Sequence, residues 1–316
     1  SEGAVIFETV KEKFVDEYIE KIKKLTDINN VKYIVLQHTE PDHAGGLFKL
    51  MKLLPDVTII GSRVALSYLS EIINAPFNGM VVKDNDEFVL GDTKLKFINA
   101  PFLHWPDTIY TYIEEQKLLF TCDSFGAHYG SDELFVSNIL GKDALDYDFA
   151  LRKYFDDILS PFKKHLNLAL DKISGLDIDY ILPGHGPVLD TFIKERIAEY
   201  YELAQFEEIK NDVVLVYTSS YGYTKNMAGL VRDQLINNGL RVHEFEIDSS
   251  NFAEMKPLIL KKIEASLGIM IGSTTINSDA VPIMSELLIN LNPIVHNRKV
   301  AGVFGSFGWS GEGVTN

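Results

Sequence analysis

The chain is 316 residues long, which fits two domains of roughly 150 residues better than one. Its 46% hydrophobic and 24% charged residues can build real cores, yet no apolar run reaches the roughly 18 residues of a membrane helix and no signal peptide is visible. The 45 acids against 30 bases leave a charge of −15, which repels phosphate backbones and counts against nucleic acid as a partner; the single cysteine, Cys122, excludes an intrachain disulfide and points to a reducing, cytoplasmic setting.

Both ends read as cut. No initiator Met is present, Ala4–Phe7 is already a strand, and Asn316 falls in a Gly-rich loop with no helix after it, so a fragment of a longer chain is expected. Residues 9–26 place Phe14, Tyr18, Ile22 and Leu25 at helical spacing on one face. Strands follow at Lys32–Gln37, Val57–Ile60, Lys94–Asn99, Thr108–Glu114, Leu118–Cys122 and Tyr180–Leu182, with helices near 44–54, 62–73, 145–158, 161–174 and 190–210. Beyond residue 212 the pattern becomes regular. Strands Val213–Tyr217, Arg241–Ile247, Leu267–Ile271 and Lys299–Phe304 alternate with helices near 224–238 (closed by Gly239), 251–265 and 279–291. Such βα units specify a parallel, doubly wound sheet, and place a boundary at about 207–212.

The segment Gln37-His38-Thr39-Glu40-Pro41-Asp42-His43 directly follows an apolar strand. Its potential ligands His38, Glu40, Asp42 and His43 lie on a strand-to-helix turn and can converge, whereas a regular strand would splay neighbours to opposite faces. His104, Asp123 and His185 (in Pro183-Gly184-His185-Gly186-Pro187) hold similar places after other strands. Strand ends in a layered αβ fold share one rim, so these residues suffice for two metals sharing a carboxylate. Any one of them alone reads as a turn or cap residue. Carboxylates and imidazoles without thiolate suit iron. Glu40, Asp42 and Asp123 with a bridging hydroxide would balance the charge of a diferrous pair. His128, His165, His243 and His296 read as structural or surface residues, His128 being near enough to Asp123 for an outer contact. Strand alternation turns Cys122 away from Asp123, as a buried inert thiol. Phe102, Trp105 and Phe125 are candidates for an apolar wall or for plain core.

The turn Thr218-Ser219-Ser220-Tyr221-Gly222-Tyr223-Thr224 joins a strand to a helix and offers backbone N–H groups, hydroxyls and a positive dipole end to an anion. With no Walker lysine and no Gly-x-Gly-x-x-Gly, the phosphate of FMN fits better than a triphosphate or a dinucleotide. Ser and Thr before a helix are also ordinary caps. Two later loops, Gly272-Ser273-Thr274-Thr275-Ile276-Asn277 and Gly305-Ser306-Phe307-Gly308-Trp309-Ser310-Gly311, leave the carboxyl ends of neighbouring strands beside the same switch point.

The pattern His38-x-Glu40-x-Asp42-His43, then His104, Asp123 and His185, resembles the metallo-β-lactamase superfamily, which usually has His where this chain has Glu40. The Glu variant joined to a flavodoxin-like domain resembles the flavodiiron proteins over essentially the whole chain. The resemblance implies a metallo-β-lactamase-like αββα sandwich (the diiron domain, 1–210), then an incomplete flavodoxin-like FMN domain (211–316), truncated at both ends. It implies that His38, Glu40 and His104 hold one iron, that Asp42, His43 and His185 hold the other, and that Asp123 bridges them. In some members the residue matching His43 is not a direct ligand. The three loops would hold FMN, with Trp309 on or beside its ring. The implied activity passes electrons from an external donor (a rubredoxin-type protein or a reduced deazaflavin) through FMN to iron. Dioxygen then becomes water, or nitric oxide becomes nitrous oxide, in a head-to-tail homodimer or a dimer of such dimers. Two rivals stay open: a dinuclear zinc hydrolase with an accessory flavodoxin domain, and an FMN carrier without metals.

Overall fold

The computed structural model describes residues 3–139, 141–205 and 209–315. The chain divides into two compact units, Ser1–Gln205 and Phe206–Asn316. Within the expected boundary region, residues 207 and 208 lie outside the described residues. Among the described residues no helix is long and apolar enough to cross a membrane.

The first unit contains two sheets. One is four-stranded and parallel, β1 (Ala4–Phe7), β2 (Val31–Val35), β3 (Thr58–Ser62) and β4 (Asn78–Val82) in spatial order. Parallel neighbours need crossovers, and these carry α1 (Val15–Leu25), α2 (Pro41–Ala44), α3 (Leu47–Leu53) and α4 (Arg63–Ile73). The other sheet is five-stranded: β5 (Glu87–Leu90), β6 (Thr93–Asn99), β7 (Ile109–Ile113), β8 (Leu118–Cys122) and β9 (Tyr180–Pro183). Its pairs are antiparallel except β8 with β9. Helices α5 (Lys142–Tyr154), α6 (Lys163–Ile173) and α7 (Ile193–Leu203) complete the unit.

Side-chain alternation explains the layering. On β7, Ile109 and Ile113 pack with Val35 and Ile60 between the two sheets. Tyr110 and Tyr112, on the opposite face, join Leu151 of α5, Leu170 of α6 and Tyr200 of α7. Beyond the parallel sheet, Ile34 and Ile59 meet Ile19 of α1, Leu50 of α3 and Leu69 of α4. The result is an αββα sandwich.

In the second unit β10 (Lys210–Tyr217) lies between β11 (Arg241–Glu246) and β12 (Ser266–Ile276), and β14 (Val300–Ser306) pairs with the other side of β12, all in parallel. The short β13 (Asp279–Ala280) runs antiparallel to the end of β12. Helices α9 (Phe252–Glu264) and α10 (Pro282–Ile289) supply Ile259, Ile263, Met284 and Leu287 to one face of the sheet, against Val214 and Val216. On the other face Ala228 of α8 (Tyr223–Asn237) packs against Leu215 and Tyr217. Helices on both faces of a parallel sheet make the doubly wound arrangement.

Several expectations need correction. The buried face of α1 is Val15, Ile19 and Ile22, while Phe14 and Leu25 are exposed, because Phe14 belongs to a separate 3₁₀ turn. Strands β4 and β5 were not foreseen; both are short, and five of their nine residues are exposed. The expected helix 44–54 starts earlier, at Pro41, and is broken at Gly45–Gly46. The helix expected over 190–210 ends at Leu203, and Lys210 already belongs to β10; residues 206–208 of that span lie outside the described residues. Residues 272–276 continue β12 rather than forming a loop, and the reversal falls on Asn277 and Ser278, both at positive φ. A short helix, α11 (Glu312–Thr315), follows the last Gly-rich loop, where none was expected.

Candidate functional site

Each candidate metal donor stands just beyond a strand of the first unit. His38 and Glu40 follow β2, and Pro41 opens the single turn of α2, which carries Asp42 and His43. His104 lies in the turn after β6, Asp123 directly after β8, and His185 after β9. Asp123 is the hub. Its Oδ2 is 3.2 Å from Nε2 of both His38 and His104. Glu40 Oε2 closes this group, 2.9 Å from His104 Nε2 and 3.4 Å from His38 Nε2. Asp123 Oδ1 faces the other way, 3.1 Å from His43 Nε2 and 3.5 Å from His185 Nε2. Asp42 Oδ2 lies 3.4 Å from His185 Nε2, and the two ring nitrogens of His43 and His185 are 3.3 Å apart. All seven expected residues are therefore gathered, in two groups that meet at Asp123.

The electrostatics call for positive charge at the centre. Burial alone would raise the Asp123 carboxyl, but His104, His38 and His43 outweigh it and hold the group far below the carboxylate range. Burial opposes charge on His38 and His43, yet Asp123 with Glu40 pushes the first up to about 9, and Asp123 with Glu8 the second up to about 11. His185 is lowered by burial. Despite these short contacts, His38 Nε2, Asp42 Oδ1 and Asp123 Oδ1 are buried without a well-directed hydrogen bond. Buried polar atoms are ordinarily paired, so atoms that crowd one point without pairing are fitted to cations. Gly184 adds a steric sign: a Cβ there would lie 2.5 Å from His43 Cε1. Nitrogen and oxygen donors without thiolate in either group fit iron.

Cys122 does not face away. A left-handed backbone (φ 52°) and a register shift beside it break the alternation, and Sγ lies 2.9 Å from His38 Nδ1. Burial pushes its thiol well up. Glu8 escaped the sequence reading altogether. It follows β1 by one residue, so the strand-end rule applied to the other donors would have found it. Tyr154, also unforeseen, has a buried hydroxyl pushed well up, chiefly by burial, and its ring lies beside His128 and His185. His128 does approach the site, its ring 5.4 Å from that of His185. Of the expected apolar wall, Trp105 is 6.1 Å from the His38 ring, whereas Phe125 stacks on Tyr200 in the core and Phe102 covers His165.

In the second unit the ends of β10, β12 and β14 surround a cavity of about 840 Å³. It is lined by Ser220, Tyr221 and Tyr223, by Thr274, Thr275 and Ile276, and by Gly305, Ser306, Phe307 and Gly308. That volume is in the range of cofactor pockets. Gly222, at φ 86°, caps α8 with open space where a side chain would stand. Thr224 is buried, its hydroxyl 2.8 Å from Ser306 Oγ and 3.5 Å from Thr274 Oγ1. Ser219 Oγ accepts from the backbone N–H groups of Gly222 and Lys225 and so holds the turn itself. Thr218, Asn277, Ser310 and Gly311 stay off the lining, and Trp309 is fully exposed. Asn226, Met227 and Leu230 of α8 complete the wall. With Tyr223 they follow the i, i+3, i+4, i+7 rule, a signal present in the sequence.

A family model described as "ODP family beta lactamase" matches residues 1–186. A flavo-diiron protein of Clostridium acetobutylicum is 34% identical over 317 residues, spanning 98% of this chain and 78% of that protein. A nitric oxide reductase of Moorella thermoacetica is 33% identical over 309 residues, covering 97% and 75% respectively. Among solved structures, the rubredoxin oxygen:oxidoreductase of Desulfovibrio gigas superimposes with a TM-score of 0.70 at 26% identity, over 99% of this chain and 77% of that one.

Proposed function

Since the chain belongs to the flavodiiron protein family, we propose that it reduces dioxygen to water, nitric oxide to nitrous oxide, or both, with electrons passed through FMN from an external donor. It is an oxidoreductase of the class that uses FMN and a diiron centre. One observation carries the proposal: the two oxygens of Asp123 serve different donor groups, one with His38, Glu40 and His104, the other with His43, His185 and Asp42. His38, Glu40 and His104 would hold one iron and Asp42, His43 and His185 the other, with Asp123 shared.

When bound, the iron pair supplies redox equivalents and open positions for a diatomic gas, and FMN relays electrons to it. The residues of this chain set the conditions. Asp123, Glu40 and Asp42 bring the negative charge that balances two cations. His38, His43 and Asp123 are buried, which fixes their directions, whereas Glu40, Asp42, His104 and His185 are partly exposed and leave one side open to a small substrate. Burial pushes the Tyr154 hydroxyl well up, so it keeps its proton, and its ring stands beside that of His185. In the second unit the hydroxyls of Ser220, Thr274, Thr275 and Ser306 would meet the phosphate and polar edge of FMN, and Tyr221, Phe307 and Trp309 its ring.

We propose a rubredoxin-type protein or a reduced deazaflavin as the donor, the former supported by the name of the Desulfovibrio relative. We further propose a head-to-tail homodimer, alone or doubled, in which one subunit's flavin serves the other's irons. The decisive experiment loads the protein with iron and FMN, reduces it without oxygen and exposes it to each gas. Water or nitrous oxide formed in proportion to electrons supplied is expected; no product from the iron- and FMN-loaded protein, or zinc in both positions of the protein as purified, overturns the proposal. A strictly monomeric, fully active enzyme in sedimentation would overturn the dimer.

A further inference from the structure

Behind the metal donors lies a carboxylate that belongs to neither group. Glu8 is nine-tenths buried and held at φ 62°. Its Oε1 accepts the backbone N–H of Gln37 at 2.5 Å, and its Oε2 is 3.1 Å from His43 Nδ1. An ionised carboxylate only accepts hydrogen bonds. Both oxygens therefore face donors, and a cation on His43 Nε2 leaves the imidazole's one proton at Nδ1, on the edge that meets Glu8. That Nε2 is aimed at Asp123 Oδ1 and His185 Nε2, 3.1 and 3.3 Å away, where a cation would sit. The His43 backbone is pinned as well, its carbonyl accepting the Thr9 N–H at 2.7 Å.

We propose that Glu8 is a positioning residue for the second iron, which fixes His43 in the Nδ1–H tautomer and so turns Nε2 into a metal donor. The inference rests on the diiron reading above. It makes a directional prediction for Glu8→Gln, a change that keeps the shape. The amide has one acceptor where the carboxylate has two. The Gln37 N–H cannot turn away, so the amide oxygen must remain there and the NH₂ group faces His43 Nδ1. A donor at that place forces the proton onto Nε2, and a neutral imidazole protonated at Nε2 cannot ligate through it.

The test titrates the metal-free protein with ferrous ion in the absence of oxygen, for wild type, Glu8→Gln and Glu8→Asp, alongside melting temperature. Wild type should take up two irons; fewer would sink the diiron reading, and the role of Glu8 with it. Glu8→Gln should keep its first iron and bind the second about 10- to 100-fold more weakly, without loss of thermal stability. Glu8→Asp, which retains two acceptors, should recover part of that affinity. Equal affinity of wild type and Glu8→Gln for both irons overturns the proposal, and so does parallel loss of both irons with a lowered melting temperature, which would mark Glu8 as merely structural. Should Glu8→Gln fail to fold, ¹⁵N spectra of histidine-labelled, zinc-loaded wild type decide. A proton on Nδ1 of His43 supports the tautomer lock, and a proton on Nε2 refutes it.

Discussion

In the first unit the candidate donors are crowded, His38, His43 and Asp123 are buried, and two of them are fixed from behind: Glu8 stands against His43 and Cys122 against His38. The loops around the cavity of the second unit are open, and Tyr221, Tyr223, Phe307 and Trp309 spread aromatic surface into solvent. Physical chemistry explains the contrast. A cation demands several charged atoms within a few ångströms, and these repel or stay unpaired unless a rigid frame holds them. A flavin is large and mostly apolar, and a few hydroxyls and backbone groups around a concavity can orient it. One region is thus organised before its ligand arrives, while the other presents a surface that the ligand would complete.

The contrast can be broken most forcefully at Asp123. Asp123→Asn should lower iron content below one per chain and turnover by at least about 100-fold, measured by metal analysis and gas consumption, with FMN still bound. Loss of FMN in the same variant would show that the two regions are not independent. Next in size, Cys122→Ala leaves His38 Nδ1 buried without its partner, a loss of about 1–3 kcal/mol for a buried polar group. Weaker binding of the first iron in a ferrous titration is expected, and Cys122→Ser should restore part of it. On the other side, Thr224→Val removes the buried hydroxyl beside Ser306. One hydrogen bond is worth about 1 kcal/mol, so FMN should bind several-fold more weakly by fluorescence titration while iron content is unchanged.

The smallest effect concerns charge in the second unit. Burial raises the Asp212 carboxyl, but His243 and Arg241 outweigh it and leave the group below its usual value. A carboxyl depressed in the folded state stabilises above its unfolded value of about 3.9, and that contribution disappears as pH falls through the folded value. Asp212→Asn should therefore lower the melting temperature at pH 7, with the gap to wild type closing below about pH 4.

The convergence of the candidate donors was legible in the sequence because they obey one rule, a ligand-type residue just past an apolar strand, and four of them lie within six residues. Glu8 obeys the same rule after β1 but has no second donor beside it to draw attention. Cys122 was misread for a different reason. Strand alternation predicts direction only while the backbone stays extended, and at Cys122 it is left-handed. The helices α4 and α8 fall within a residue of their expected limits. The edge strand β4 begins with Asn-Gly and has little buried apolar surface, so its pairing with β3 is a tertiary effect with no local signature.

Gly184 ties the architecture to the chemistry by the thinnest of margins. Its N–H donates to the Cys122 carbonyl at 2.6 Å, so the Pro183–Pro187 turn cannot retreat from the strand that delivers Asp123. The wall behind one face of His43 is accordingly a single hydrogen atom. Alanine, the smallest change that chemistry allows, would have to displace either an imidazole or a whole turn, and it would remodel the donor cluster from a position that offers no donor at all.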